Sequence, residues 1–395
     1  MTSVKNSDVY WLGKVASDWE IAPAWRVMTE RREKSLPDDV HLTPSQTHGV
    51  LTQQEYMDRT GNKVVLNLAG ADNMKRVRAG DFIIHLRSFE GGIEASTIDG
   101  KVSNAYTVLT PAPDAHFDYY RWFMKSVPLI EGLASSTAQL RDGQSINFSR
   151  FSRLSLPLPP LETQQRIADY LDRETADIDA AVADLDKYVE LLEKRRQVLV
   201  SEAVDSLSSA SLIKTVRNLE TLGWLELGRG KIISKEDMEN SPGDYPVYSS
   251  AFTDNGFFGK YGEYLFEDER ISWSIDGGGM PFYRHKHRYS LTNVSGWMRV
   301  ADNSVLDVKY LYYAVLNAWY RNSFDYAFKA HPSVIRDLYS ISIPDLSSQQ
   351  QMADYLDRET AEIDNLIAES KKLRDLLLKR RSVLITEVAT GRKQV

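Results

Sequence analysis

The chain has 395 residues, no cysteine and a formal net charge of −7. The missing cysteines exclude disulfides, thiolate metal ligands and cysteine nucleophiles, and they favour a reducing cytosol. No apolar run approaches the roughly 18 residues of a membrane-spanning helix, and the N-terminus lacks the apolar segment of a signal peptide, so we expect a soluble, cytoplasmic protein without a membrane partner.

The negative charge is concentrated in one part of the chain. Residues 161–205 contain six basic and twelve acidic residues, whereas basic and acidic residues balance over 1–160. Nucleic-acid binding by the remaining parts is therefore neither excluded nor supported by the net charge.

The first globular part, residues 1–160, opens on two tryptophan-containing strings, WLG at 11–13 and DWE at 18–20. Alternating apolar residues between turn residues predict short strands here. The predicted strands span residues 63–68, 80–86, 102–109 and 154–158. Its basic residues are dispersed, and the candidates for contact with nucleic acid are Lys75, Arg76, Arg78 and Arg87.

A long helix is predicted for residues 161–205, because neither glycine nor proline occurs from Thr163 to Val204. Prolines 157, 159 and 160 precede it, and Thr163 is the predicted N-cap. Apolar residues recur every seven positions, which is typical of a coiled coil and predicts a partner helix. These positions are Leu171, Ile178, Leu185, Leu192 and Leu199.

The second globular part, residues 206–345, begins with a serine-rich linker at 206–211. Strands are predicted at 245–249, 271–275, 295–300 and 338–343, with a helix at 308–321. Both globular parts therefore predict an α+β fold, and each ends on a strand that leads into a long helix.

The densest basic run of either globular part follows a glycine turn and precedes a strand, so it is expected to project from a hairpin loop. It comprises Arg284, His285, Lys286, His287 and Arg288. Contact with phosphates or base edges is one interpretation, and a solvated loop is the other. Lys329 and His331 are weaker candidates. The two loop histidines lack a carboxylate at helical spacing, so no metal site is predicted.

The second long helix, residues 346–395, repeats the first. The string ADYLDRETA occurs at 168–176 and again at 353–361, an offset of 185 residues. Such a self-match predicts one module present twice, with the two helices packing against each other. Ser347 or Ser348 is the predicted N-cap, with Gln351 completing a capping box, and Gly391 ends the helix. Its predicted apolar seam comprises Leu356, Ile363, Leu366, Leu373, Leu377 and Leu384.

Four polar residues of the repeated string recur unchanged on positions expected to be exposed. They are Asp169, Asp172, Arg173 and Glu174 in the first copy and Asp354, Asp357, Arg358 and Glu359 in the second. An ordinary solvated face does not need to repeat itself so closely. We therefore predict that both faces contact the same kind of partner.

Motifs for catalysis are missing from the sequence. It contains no GxxxxGK[ST] phosphate loop, no strand–GxGxxG–helix unit and no HExxH helix. A binding role is therefore expected rather than an active site. A coiled-coil scaffold whose globular parts bind protein is the alternative from another class.

Taken together, the WLG…DWE opening, the LPLPPLETQQRIADYLDRET boundary and the final KRRSVLITEVATGR string resemble the specificity subunit of type I restriction–modification systems. The resemblance implies target-recognition domains at 1–160 and 206–345, separated by two antiparallel coiled-coil helices at 161–205 and 346–395. Each domain would read half of a bipartite site in double-stranded DNA.

The same resemblance implies the partners. The helices would dock two adenine-specific modification subunits, and restriction subunits with motor and nuclease activity would join the complex. S-adenosylmethionine, ATP and Mg²⁺ would then belong to the partner subunits, and this chain would be a non-catalytic subunit.

Overall fold

The computed structural model describes residues 3–64, 74–137, 146–207, 212–251, 253–322, 324 and 327–395. The chain forms two compact units. The first comprises Met1–Asp184 and Lys372–Val395, and the second comprises Leu185–Lys371. Each unit therefore contains one globular part together with a segment of each long helix. Within the described ranges, no helix has the length and apolar character needed to cross a bilayer.

The first globular part combines short strands with short helices. The strands are β1 (Val4–Asn6), β2 (Lys14–Ala16), β3 (Glu20–Pro23), β4 (Met28–Glu30), β5 (Leu42–Ser45), β6 (Gly49–Thr52), β7 (Lys75–Val77), β8 (Phe82–Ile84), β9 (Glu94–Ala95), β10 (Gly100–Val102), β11 (Thr107–Pro111) and β12 (Ser155–Leu158). The helices are α1 (Ala24–Val27), α2 (Gln53–Thr60), α3 (Ser88–Gly91), α4 (Phe117–Phe123), α5 (Val127–Thr137) and α6 (Phe148–Phe151).

The second half of the chain begins with the long helix α7 (Leu161–Ser206). The strands that follow are β13 (Leu212–Thr215), β14 (Leu225–Arg229), β15 (Tyr245–Tyr248), β16 (Phe257–Tyr261), β17 (Arg270–Ser274), β18 (Pro281–Arg284), β19 (Ser290–Leu291), β20 (Ser295–Val300) and β21 (Ser340–Ile343). The helices are α8 (Val216–Thr221), α9 (Lys235–Asn240), α10 (Val308–Asn322), α11 (Pro332–Leu338) and the long α12 (Leu346–Ala389).

Both globular parts share one sheet topology. A four-stranded sheet has the order β4-β11-β8-β9 in the first part and β14-β20-β17-β18 in the second. The strand before each long helix pairs with an early strand of its own part, β12 with β3 and β21 with β13. The predicted α+β class and internal repeat are therefore confirmed. The segment between β4 and β8 differs in its helices and strands from the segment between β14 and β17. The repeat therefore holds for the sheet framework and not for these insertions.

Most predicted strands are present, with shifts at their ends. The strand predicted at 295–300 matches β20, and 80–86 contains β8, whereas 102–109 divides between β10 and β11. Of the strand predicted at 63–68, residues 65–68 lie outside the described residues, as does 208–211 of the predicted serine-rich linker.

The predicted N-caps of the long helices are wrong. Helix α7 begins at Leu161, so Thr163 lies inside its first turn. Helix α12 begins at Leu346, and the carboxylate of Asp345 accepts hydrogen bonds from the backbone N–H and hydroxyl of Ser348. Asp345 therefore caps the N-terminus of α12 in place of the predicted serines.

The helical segments run antiparallel within each unit. In the first unit, Ile167 and Leu171 near the start of α7 share a core with Ile385 and Val388 near the end of α12. In the second unit, the order is reversed: Leu192, in the later half of α7, packs with two residues from the first half of α12, Ile363 and Ile367.

Part of the predicted seam on α12 is wrong. Leu366 and Leu373 are 40% and 49% exposed, whereas Ile367 and Ser370 are buried. From Ile363 the buried stripe continues at Ile367, four residues later, and not at Leu366, three residues later. With 3.6 residues per turn, both spacings lie close to the same face of the helix. The seven-residue spacing alone could not distinguish these two choices.

A buried glutamine joins each long helix to its globular part. The side chain of Gln164 accepts a hydrogen bond from the N–H of His116 and donates to the carbonyl oxygens of Asp114 and Pro159, over 2.7–2.9 Å. Gln349, located 185 residues later, makes three equivalent bonds of 2.8–2.9 Å in its own unit. Repetition of this glutamine therefore has a structural reason.

Candidate nucleic-acid interface

The basic candidates of the first globular part belong to an ion-pair network. Arg76 and Arg78 donate to the same carboxylate oxygen of Glu33, at 2.9 and 2.8 Å. Hydrogen bonds from Arg78 and Arg76 lower the pKa of Glu33 to about 2. Arg31 donates to Asp81 beside them, at 2.8 Å. These guanidinium groups are therefore already paired within the fold.

The four basic candidates of the first globular part differ in the exposure of their side chains. Lys75 donates to the carbonyl oxygen of Tyr106 at 2.6 Å and lies partly buried in β7. The side chains of Arg78 and Arg87 are 50% and 71% exposed, and Arg87 donates to Glu90 at 2.8 Å. Arg78 and Arg87 are thus better placed than Lys75 and Arg76 to reach an external ligand.

In the second globular part, residues 285–288 form a turn between β18 and β19, which we call the basic turn. His285, Lys286 and Arg288 are exposed, and His287 is half-buried. Arg284 differs from expectation: it is the last residue of β18 and only 4% exposed. It therefore lies beneath the turn and does not project from it.

Aromatic rings support the basic turn. The hydroxyl of Tyr248 lies 3.2 Å from Nε2 of His287, and the His287 ring stacks on Tyr289 with centroids 4.7 Å apart. Arg288 has its Cζ 4.9 Å from the centroid of Tyr264. These rings come from β15, from the residue before β19, and from the segment between β16 and β17. Sequence reasoning missed the assembly, because no spacing signal connects separate strands.

Lys329 and His331 have local partners. Lys329 donates to Asp276 at 2.7 Å, with its side chain 70% exposed. Nδ1 of His331 accepts from the backbone N–H of Ser333 at the start of α11, which makes His331 the N-cap of that helix. His331 therefore has a structural role, while the ammonium group of Lys329 remains accessible.

Two of the eight residues predicted to dock a partner also connect each long helix to its own globular part. Asp172 accepts from the indole N–H of Trp122 at 2.7 Å and from Arg121 at 2.5 Å. Asp357 accepts from the hydroxyl of Tyr313 at 2.8 Å and from Lys309. Their repetition is explained by this shared contact with α4 and α10.

The remaining residues of the repeated faces have no side-chain hydrogen bond or ion pair with the globular parts among the described residues, and the glutamates are partly buried. Asp169 and Asp354 are exposed. Arg173 and Arg358 are each 67% exposed, with Nε 3.7 Å from an oxygen of the adjacent Glu174 and Glu359. A cavity of about 500 Å³ lies beside the first face, lined by Glu162, Gln165, Arg166, Asp169, Tyr170, Arg173 and Val395.

Comparison with known proteins identifies the family over most of the chain. A family model described as the type I restriction modification DNA specificity domain matches residues 41–184 and 216–373. The Mycoplasma pneumoniae protein S.MpnORF285P is 32% identical over 135 residues, which cover 33% of this chain and 44% of the relative. The specificity subunit of the type I restriction enzyme MpnII, from the same organism, is 27% identical over 135 residues, covering 33% and 40%. The aligned region thus spans less than half of either relative.

A solved structure agrees in fold over almost the whole chain. It comes from work on complex assembly and conformational transition of the type I restriction–modification system, and it superposes with a TM-score of 0.59 at 14% identity. The match covers 96% of this chain and 99% of the other. At this identity the comparison supports the arrangement of helices and strands alone.

Proposed function

Because this chain belongs to the family of type I restriction–modification DNA specificity proteins, we propose that it reads a bipartite DNA sequence and directs adenine methylation and restriction by partner subunits. One observation carries the proposal: the same sheet framework occurs twice, with unlike insertions on each copy. A repeated framework suits two equivalent tasks, and different insertions suit two different half-sites.

Contacts with double-stranded DNA are assigned to the exposed basic residues. Arg78, Arg87, Lys286, Arg288 and Lys329 carry accessible cationic groups. Such groups bind phosphates without reading sequence, so they set the position of the duplex. The exposed His285 of the basic turn, with its ring nitrogens, is the candidate for a base edge.

Partner docking is assigned to the exposed and partly exposed residues of the repeated faces. Asp169, Arg173 and Glu174 in one copy, and Asp354, Arg358 and Glu359 in the other, present the same side chains. Two identical faces suit two identical modification subunits, to which restriction subunits would add. S-adenosylmethionine, ATP and Mg²⁺ would be bound by those partners, so this chain would perform recognition without catalysis in the cytoplasm.

Linking two recognition domains explains how such a protein becomes selective. One domain contacting a few base pairs discriminates weakly, because each mismatch costs only about 1–3 kcal/mol. Connecting two domains makes the second contact intramolecular, which raises its effective concentration. The alternative, a scaffold whose globular parts bind protein, predicts no dependence on DNA sequence.

The test is methylation sequencing of host DNA with and without this gene, in a strain that expresses the partner subunits. Loss of one bipartite methyladenine motif on deletion, and its return on complementation, is the expected result. An unchanged set of motifs would contradict the proposal and favour the scaffold.

A further inference from the structure

Arg284 is a buried cation that pairs with no anionic side chain in the described part of the chain. Its Nε donates to the hydroxyl of Ser272 at 2.8 Å, and its Cζ lies 3.9 Å from the ring centroid of Tyr248. Among the described residues, no carboxylate lies within ion-pairing distance of its guanidinium. Burial lowers the pKa of Arg284 to about 10, so the group remains charged at neutral pH.

A second arginine makes this arrangement more costly. Arg270 on β17 lies directly opposite Arg284 on β18 in the antiparallel ladder. Arg270 is also buried, but it donates twice to Asp268, at 2.7 and 3.0 Å. Like charges directly opposite each other destabilise a sheet, and a buried charge without a counter-ion adds to this effect. The charge of Arg284 is therefore costly for folding stability, and among the described residues only the Ser272 hydrogen bond and the ring contacts with Tyr248 and Phe282 offset this cost.

The position of Arg284 gives a functional reason for its charge. Its guanidinium stacks on Tyr248, the Tyr248 hydroxyl contacts His287, and Nδ1 of His287 lies 2.7 Å from the carbonyl oxygen of His285. This series of contacts fixes two residues of the basic turn. Because no described carboxylate neutralises Arg284, its charge adds to the positive potential of Lys286 and Arg288.

We propose that Arg284 is a positioning residue for DNA recognition by the second globular part, holding the basic turn in one conformation and keeping it positively charged. The inference rests on the proposed function and adds to it a residue that does not itself reach the DNA surface. The proposal predicts that DNA affinity and folding stability respond differently: loss of Arg284 should weaken DNA binding without destabilising the fold.

The test uses the complete complex with its partner subunits and a duplex that carries the methylated motif. In the variant, Arg284→Met is combined with Ser272→Ala, so that no buried hydroxyl loses its partner. We expect about tenfold weaker binding and a shallower dependence of affinity on salt, at a melting temperature equal to or above that of the wild type. Arg284→Lys keeps the charge but loses the planar stack on Tyr248, so it should recover only part of the lost binding.

Arg217→Met is the matched control, since it removes the same charge where Asp337 already neutralises it. It should leave DNA binding unchanged. Unchanged binding by the variant that carries Arg284→Met would overturn the inference, as would a loss that Arg284→Lys shares in full or a fall in melting temperature that accompanies the loss. If the wild-type complex itself does not distinguish the motif from a duplex with one half-site scrambled, the proposed function fails instead.

Discussion

Arg381 donates through Nε to a carboxylate oxygen of Asp179 at 2.7 Å, connecting the two helical segments of the first unit. In the second unit, Arg196 makes the same bond to Asp364 at 2.9 Å. The two arginines are 185 residues apart, as are the two aspartates, so the roles of α7 and α12 are exchanged between the units. One ion pair, present twice, thus links the sequence repeat to helix packing.

Replacing Arg381 with alanine should destabilise the first unit by about 1 kcal/mol, the range of a half-exposed ion pair with an aromatic contact. Its Cζ also lies 5.4 Å from the ring centroid of Trp122, so the substitution removes two contacts. Urea unfolding measures the loss. Arg380→Ala, which changes an exposed neighbour, is the control, and equal effects of the two variants would contradict the assignment.

Replacing the buried glutamine of either unit should lower folding stability more than replacing Arg381 does. Gln164→Leu removes three hydrogen bonds and leaves the N–H of His116 and two carbonyl groups without this partner, at an expected cost of about 2–4 kcal/mol. Gln165→Leu alters the adjacent exposed amide and should change stability little. The same comparison applies to Gln349 and Gln350. A Gln164 variant as stable as the Gln165 variant would show that these bonds contribute little.

The ion pairs of Glu33 predict a pH effect of defined sign. Arg78 and Arg76 lower its pKa from 4.5 in the unfolded chain to about 2 in the folded one. Its contribution to stability is therefore complete above about pH 4.5 and is lost as the pH falls toward 2. Glu33→Gln should show a shallower decrease of melting temperature across that window. Parallel curves for the variant and the wild type would contradict this account.

Charge reversal on the repeated faces should weaken docking of the partner without lowering folding stability. Arg173→Glu and Arg358→Glu change exposed groups, so we expect normal melting temperatures and weaker retention of the modification subunit in a binding assay. Asp357→Asn, by contrast, weakens the contact of α12 with Lys309 and Tyr313 and should lower the melting temperature. Full retention of the partner by the double arginine variant would remove these faces from the proposed interface.

The sequence was informative where repetition or periodicity carried the signal. The 185-residue offset predicted two equivalent parts, and the alternation of Ser295–Val300 predicted β20. It was uninformative where a contact joins distant segments. The burial of Arg284 depends on Tyr248 and Ser272 from other strands, and the role of Asp172 depends on Trp122, 50 residues away. Reading Arg284 as exposed was wrong because rings from elsewhere in the fold cover it, whereas Asp172 stays partly exposed and gains partners that its local sequence does not indicate.

The most direct test of the central claim exchanges one recognition part and sequences the methylome. Strand β13 pairs with β21, so Leu212 and Ile343 are opposite each other and residues 212–343 form an exchangeable module. Replacing this module with that of a relative should change one half of the methylated motif and leave the other half unchanged. Exchange of residues 20–158, bounded by the β3–β12 pair, should change only the opposite half. A change in both halves after either exchange, or in neither, would contradict the account.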